Sequence, residues 1–252
     1  MNSTTTEAAR ADNKLGARLA ELRGRIEACA RGAGRAPEEI TLIAVSKTHG
    51  AELVRGAIAA GVSDFGENRV QEADEKIESV GRARPDGAAT PRWHLIGHLQ
   101  SNKARRAVKL FDLIHTIDSA ELIERLDRLC AEEGRAELPV LLQIDLAGEA
   151  TKTGAREAEL PELLAKFERC KQVRLAGLMT LPPFDEDAER VRPFFRRLRE
   201  LRDELRGRSA FGAAGPGELS MGMSHDYEVA IAEGATMVRI GTAIFGQRAA
   251  KQ

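Results

Sequence analysis

Lys47 closes an apolar, β-branched run, ITLIAVSK, over residues 40–47. An amine held against buried surface loses part of its preference for the charged form. A neutral amine can attack an aldehyde and form a Schiff base. A strand-end lysine whose stem crosses apolar surface on its way to water fits the same residues. A second group lies near the other end of the chain. Arg239 interrupts the apolar run Met237–Gly246, MVRIGTAIFG, and a charge in such a run needs a partner. Gly241 and Thr242 follow with backbone amides and a hydroxyl. The segment MGMS at 221–224 adds Gly222, which permits close approach, and the Ser224 hydroxyl. Two donor sets at the ends of neighbouring strands suit a phosphate. A helix cap at Ser224 and a structural ion pair at Arg239 would use the same atoms.

Other constellations carry less. His94 and His98 are four apart, but a strand containing Gly97 denies them a shared helical face, and no acidic ligands accompany them. Gly215, Gly217 and Ser220 half match a dinucleotide loop, yet they precede a strand instead of following one. The polar segment 147–156, AGEATKTGAR, reads as a lid or a long turn, with Lys152 in it.

The elements that must position these groups alternate. Strands are expected over 40–47, 64–68, 93–97, 113–118, 140–146, 173–181, 218–223 and 237–245. Helices are expected over 51–60, 70–80, 102–111, 120–133, 157–170, 188–205 and 227–233. A leading helix starts at Asp12 or Asn13, carries Leu15, Leu19, Leu22 and Ile26 on one face, and ends at Gly32 or Gly34. This alternation implies parallel strands with helical crossovers. The expected architecture is a single α/β domain over 13–248, a (β/α)8 TIM barrel with an extra N-terminal helix, after a disordered stretch at 1–12. An open doubly wound sheet is the alternative. In a barrel the strand ends face one mouth, which gathers Lys47, Asn68, Ser224, Gly241 and Thr242.

Composition narrows the class. The 38 Lys and Arg against 39 Asp and Glu leave a net charge of −1. No basic excess favours nucleic acid or an anionic membrane. The three cysteines, Cys29, Cys130 and Cys170, are scattered, which favours a reducing compartment over a disulfide framework. The N-terminus lacks the apolar core of a secretory signal, and no apolar run approaches the roughly 20 residues needed to span a bilayer. A cytoplasmic location is expected.

Several segments together resemble the pyridoxal-phosphate homeostasis protein family. They are AVSKT, FGENRVQEA, WHLIGHLQSNK, IDSAEL, TKTG, LAGLMTLP and LSMGMSHDYEVAIAEGATMVRIGTAIFG, and they span about residues 40–246. The resemblance implies pyridoxal 5′-phosphate (PLP) as cofactor, with Lys47 as its Schiff-base lysine. It implies Asn68 near the cofactor ring, and Ser224 with the backbone of Met223, Gly241 and Thr242 at the phosphate. Arg239 matches the arginine that faces the pyridine nitrogen in related barrels. An arginine does not readily protonate that nitrogen, so the ring remains a weaker electron sink. Lys152 and Lys103 are the next candidate amines.

The barrel also resembles that of alanine racemase. A racemase needs two bases, and in that fold the second is a tyrosine from an additional C-terminal region of a partner subunit. The one tyrosine here, Tyr227, falls in the helix beside the phosphate donors, and the sequence stops soon after the eighth strand. The expected role is therefore non-catalytic: a monomer that buffers PLP or delivers it to PLP-dependent apo-enzymes. A PLP-dependent amino-acid racemase or lyase is the alternative. A phosphate-binding barrel enzyme without PLP is a third reading, and it predicts a colourless protein.

Overall fold

The computed structural model describes residues 3–81, 90–148, 153–212 and 215–246, with residues 3–13 as backbone only. Eight parallel strands close into a barrel in chain order: β1 Thr41–Val45, β2 Asp64–Glu67, β3 Arg92–Leu95, β4 Leu113–Ile117, β5 Leu138–Gln143, β6 Val173–Met179, β7 Glu218–Ser220 and β8 Met237–Ile240. The seam is the β1–β8 pair, in which Ile43 stands beside Arg239. Closure excludes the open doubly wound sheet.

Helices follow the strands: α1 Ser3–Gly32, α2 Ala51–Ala59, α3 Val70–Val80, α4 Ala104–Leu110, α5 Ala120–Glu132, α6 Leu160–Phe167, α7 Arg192–Gly207, α8 Tyr227–Ala232 and the single turn α9 Thr242–Phe245. The local logic is clearest in α5. Ser119 caps it by accepting the Leu122 amide at 3.3 Å. Leu122, Ile123, Leu126, Leu129 and Cys130 recur at helical spacing, and all are buried. Truncating Leu126 to alanine would cost about 2–5 kcal/mol through lost transfer energy and a residual cavity.

Strand period places the interior. Ile43 and Met237 belong to a small apolar cluster with Leu113, Leu141 and Met179, whereas Ala44 and Val238 pack in the large layer under the helices. Alternation then sends Val45 and Lys47 inward after Ile43, and Arg239 and Gly241 inward after Met237.

Of the boundaries that differ from expectation, three bear on the leading helix and the site. The leading helix begins at Ser3, not at Asp12 or Asn13, so residues 3–12, expected to be disordered, are helical. Ala8, Ala9 and Ala11 favour helix without an apolar face, which hydrophobic spacing does not register. The strand expected over 237–245 ends at Ile240, and Gly241 turns the chain into α9. The strand expected to reach Met223 ends at Ser220, and a turn at Ser224–Asp226 precedes α8. Lys152, in the polar segment read as a lid or a long turn, lies outside the described residues. Among the described residues no helix is long and apolar enough to cross a membrane.

Candidate functional site

A cavity of about 450 Å³ opens at the C-terminal mouth of the barrel. It is lined by Val45, Lys47, Asn68, Ile96, Leu181, Met223, Ser224, His225, Arg239, Gly241 and Thr242. The structure thus brings Lys47, Asn68, Met223, Ser224, Arg239, Gly241 and Thr242 together, from both ends of the chain. Lys103 is elsewhere, in an adjoining groove that shares Asn68 and also holds Arg69 and His98. The lining pairs two cationic side chains, Lys47 and Arg239, with hydroxyls and an amide, and its described residues include no carboxylate.

Lys47 sits in a turn two residues past β1, and the turn is held from behind. Ser46 Oγ donates to Glu67 Oε1 at 2.6 Å. Lys76, on α3, donates to the Ser46 carbonyl at 2.7 Å and to the same Glu67 oxygen. Both Lys76 and Glu67 are buried. Burial drives the Glu67 carboxyl up from its ordinary range, against the opposing pull of Lys76 and Ser46. Thr48 completes the turn at φ +68°, in the left-handed region that β-branched residues avoid. Its amide is tied to Glu72. A strained residue beside the amine, with hydrogen bonds on both sides, indicates an imposed geometry.

Arg239 forms the floor. Its side chain is buried, yet its bonds go to neutral groups, the Ser220 hydroxyl at 2.6 Å and the Thr180 carbonyl at 3.0 Å. The structural ion pair considered from sequence does not occur in the described hydrogen bonds. Burial pushes the guanidinium down to about 10, with Asp226 opposing, so it remains charged at neutral pH.

The wall from strands seven and eight is braced by hydrogen bonds. Asp226 accepts the Met223 amide at 2.5 Å, and the Tyr227 amide returns to the Met223 carbonyl at 2.9 Å. Asp226, not Ser224, is the cap residue of α8, so the Ser224 hydroxyl is not a helix cap. Gly222 does permit a close approach, but to α8. At φ +93°, a Cβ there would stand 2.6 Å from the Ala230 Cβ and 3.0 Å from the Tyr227 Cα.

His225 lines the cavity too, with Nε2 3.3 Å from Asp226 and its ring tilted 53° against that of the exposed Phe184, centres 4.8 Å apart. Sequence reasoning did not single it out. Its place two residues past Met223 on a strand-end segment was the available signal. Tyr227 is buried outside the lining, its hydroxyl on Glu228 at 3.2 Å and Arg25 5.6 Å from the ring centre. Burial and Glu228 push that phenol up to about 12. His98 lies on the rim beside Asp118 at 3.8 Å, and His94 is deep inside the barrel.

Residues 18–249 match the family described as alanine racemase, N-terminal domain. Fold and site thus define a barrel of that class. The fold is shared with alanine racemase of Clostridium difficile, at 18% identity and a TM-score of 0.69, over 94% of this chain and 57% of that one. Much nearer is the pyridoxal phosphate homeostasis protein of Escherichia coli K12, 44% identical over 246 residues, 94% of this chain and 97% of the relative. That of Aquifex aeolicus is 41% identical over 92% and 97%. PipY of Synechococcus elongatus, solved with PLP bound, is 40% identical with a TM-score of 0.74, over 92% of this chain and all of PipY. The chain belongs to the pyridoxal phosphate homeostasis protein family.

Proposed function

We propose that this protein binds PLP in the mouth cavity and holds it in reserve for PLP-dependent apo-enzymes in the cytoplasm, as a monomer without strong catalysis of its own. The observation that carries this reading is the convergence of Lys47 and Arg239 on one cavity walled by Met223, Ser224, Gly241 and Thr242. The volume falls in the range of about 300–1000 Å³ usual for small-molecule sites. A cationic lining without carboxylates suits a phosphorylated ligand. PLP supplies an aldehyde that captures amines and a ring that withdraws electrons. Lys47 provides the amine for a Schiff base with that aldehyde, releasing one water. Ser224 and Thr242 offer hydroxyls to the phosphate, and Met223 and Gly241 shape the backbone around it. Asn68, just past β2 beside β1, would border the ring, and Arg239 would donate to it from the floor. PLP bound to PipY supports the cofactor, and the names of the curated relatives support the role in homeostasis.

The test loads the protein with PLP, reduces it with borohydride and locates the modified lysine by mass spectrometry. The expected mass gain is on Lys47, and Lys47→Ala abolishes it while leaving the fold intact. A gain on Lys103 or Lys152 overturns the assignment, and no gain overturns the reading.

The racemase or lyase reading has one observation in its favour. His225 lines the cavity and carries an imidazole, the side chain most often used for acid–base chemistry. Its contacts with Asp226 and Phe184 hold it at the rim. Turnover of alanine or another amino acid at about 1 per second or faster would favour that reading over the carrier.

A further inference from the structure

Behind Arg239 a line of buried polar side chains crosses the barrel interior. Ser220 Oγ is 2.6 Å from Arg239 Nη1 and 2.8 Å from His115 Nδ1. His115 Nε2 is 3.0 Å from His94 Nδ1, and His94 Nε2 is 2.9 Å from Asp64 Oδ1. Asp64 also accepts from Ser63 Oγ at 2.6 Å and from Arg92 at 2.7 Å. Arg239, Ser220, His115, His94 and Asp64 stand on β8, β7, β4, β3 and β2 and are all buried. The line starts beneath the cavity and ends near Arg92, which is more than half exposed.

The partners assign the protons. A guanidinium only donates, so Ser220 accepts from Arg239. The Ser220 proton has His115 Nδ1 as its one acceptor among the described hydrogen bonds. His115 is then neutral with its proton on Nε2, which it donates to His94 Nδ1. His94 is likewise neutral, and its Nε2 proton goes to the Asp64 carboxylate. The far end agrees, because an ionised carboxylate only accepts. Burial, with the Arg239 cation nearby, holds His115 well below the usual histidine range. Burial would raise Asp64, but bonds from His94, Ser63 and Arg92 outweigh it and hold the group at about 2.

Resting on the proposed function, we infer that Ser220, His115, His94 and Asp64 are positioning residues for the cofactor, a one-way hydrogen-bond relay that fixes Arg239 as a charged donor beneath the PLP ring. Each donor in the line polarises the next. The line thereby joins a cation at one end to an anion at the other, and among the described residues no carboxylate lines the cavity itself.

The experiment has two arms. In the PLP-free protein, nitrogen-15 NMR reads the two imidazoles at neutral pH. Both rings are expected as neutral tautomers protonated on Nε2; a proton on Nδ1 of either ring overturns the relay. In the second arm PLP is titrated into the parent protein, His115→Leu and His115→Asn, with thermal unfolding as the check on folding. His115→Leu is expected to weaken PLP about tenfold and to shift the absorption band of bound PLP. His115→Asn, whose Oδ1 can take the place of Nδ1 as acceptor for Ser220, is expected to recover most of both. Should His115→Leu fail to fold, Ser220→Ala breaks the line with a smaller change in volume and carries the same expectation. Uptake with an unmoved band and affinity in the broken variant overturns the inference and leaves the proposed function standing. No uptake by the parent protein overturns the proposed function, and the inference with it.

Discussion

The two cationic groups of the cavity are supported in opposite ways. The Lys47 turn leans on a buried ion pair, Glu67 with Lys76, between the barrel wall and α3. Arg239 leans on neutral groups inside the barrel, the Ser220 hydroxyl and the Thr180 carbonyl, and the line behind Ser220 ends on a carboxylate, Asp64. The difference follows from what each support must do. A turn is fixed by gripping its backbone, and Lys76 does so at the Ser46 carbonyl. A guanidinium that must keep its charge and face a ligand is better held by acceptors that do not form a tight ion pair with it. Ionic support is also more brittle, because removing one partner strands a buried charge.

That contrast can be broken on its ionic side first. Lys76→Met leaves Glu67 buried and uncompensated, and is expected to cost about 3–5 kcal/mol by chemical denaturation. Adding Glu67→Gln should recover a large part of the loss. Additive costs would show that the pair does not act as a unit.

A smaller effect is expected at Asp64. Its folded carboxyl lies at about 2 against an ordinary 3.8. A depressed carboxyl adds stability above its unfolded value, and that stability is lost as pH falls through the folded one. The parent protein should therefore lose roughly 2 kcal/mol from this group between about pH 4 and 2. Asp64→Asn should lack that slope in urea unfolding measured across the window. An unchanged slope would place the acid sensitivity elsewhere.

The smallest effect sharpens the ionic side. Thr48→Gly removes a left-handed strain of about 1–2 kcal/mol and adds unfolded-state entropy worth about 0.4–1 kcal/mol. A net gain of about 0.5–1 kcal/mol is expected, together with weaker PLP binding as the Lys47 turn loosens. Tighter binding would mean that the strained turn does not serve the site.

Much of this architecture was legible because strand and helix periods differ. Ile43, Val45 and Lys47 alternate, so reading β1 correctly already aims the amine inward. Gly241 was harder to read, since TAIF after it is as apolar as a strand, and only the backbone shows that the chain turns there. The line from Ser220 to Asp64 was not legible. Its members lie on four strands and touch only after the barrel closes. Each shows in sequence merely as a polar residue at an inward position of an apolar strand, as His115 does in LIHTI and His94 in WHLI. Lys76 in α3 reads as an ordinary surface lysine until Glu67 is placed beside it.

Gly222 has a consequence for traffic through the cavity. Because α8 presses directly on that residue, helix packing shapes the segment around Ser224 without help from an anion. An incoming phosphorylated molecule then meets donors already in place, and the chain gives up little conformational freedom on loading. If the protein hands PLP on as proposed, its departure would leave nothing at Gly222 to refold.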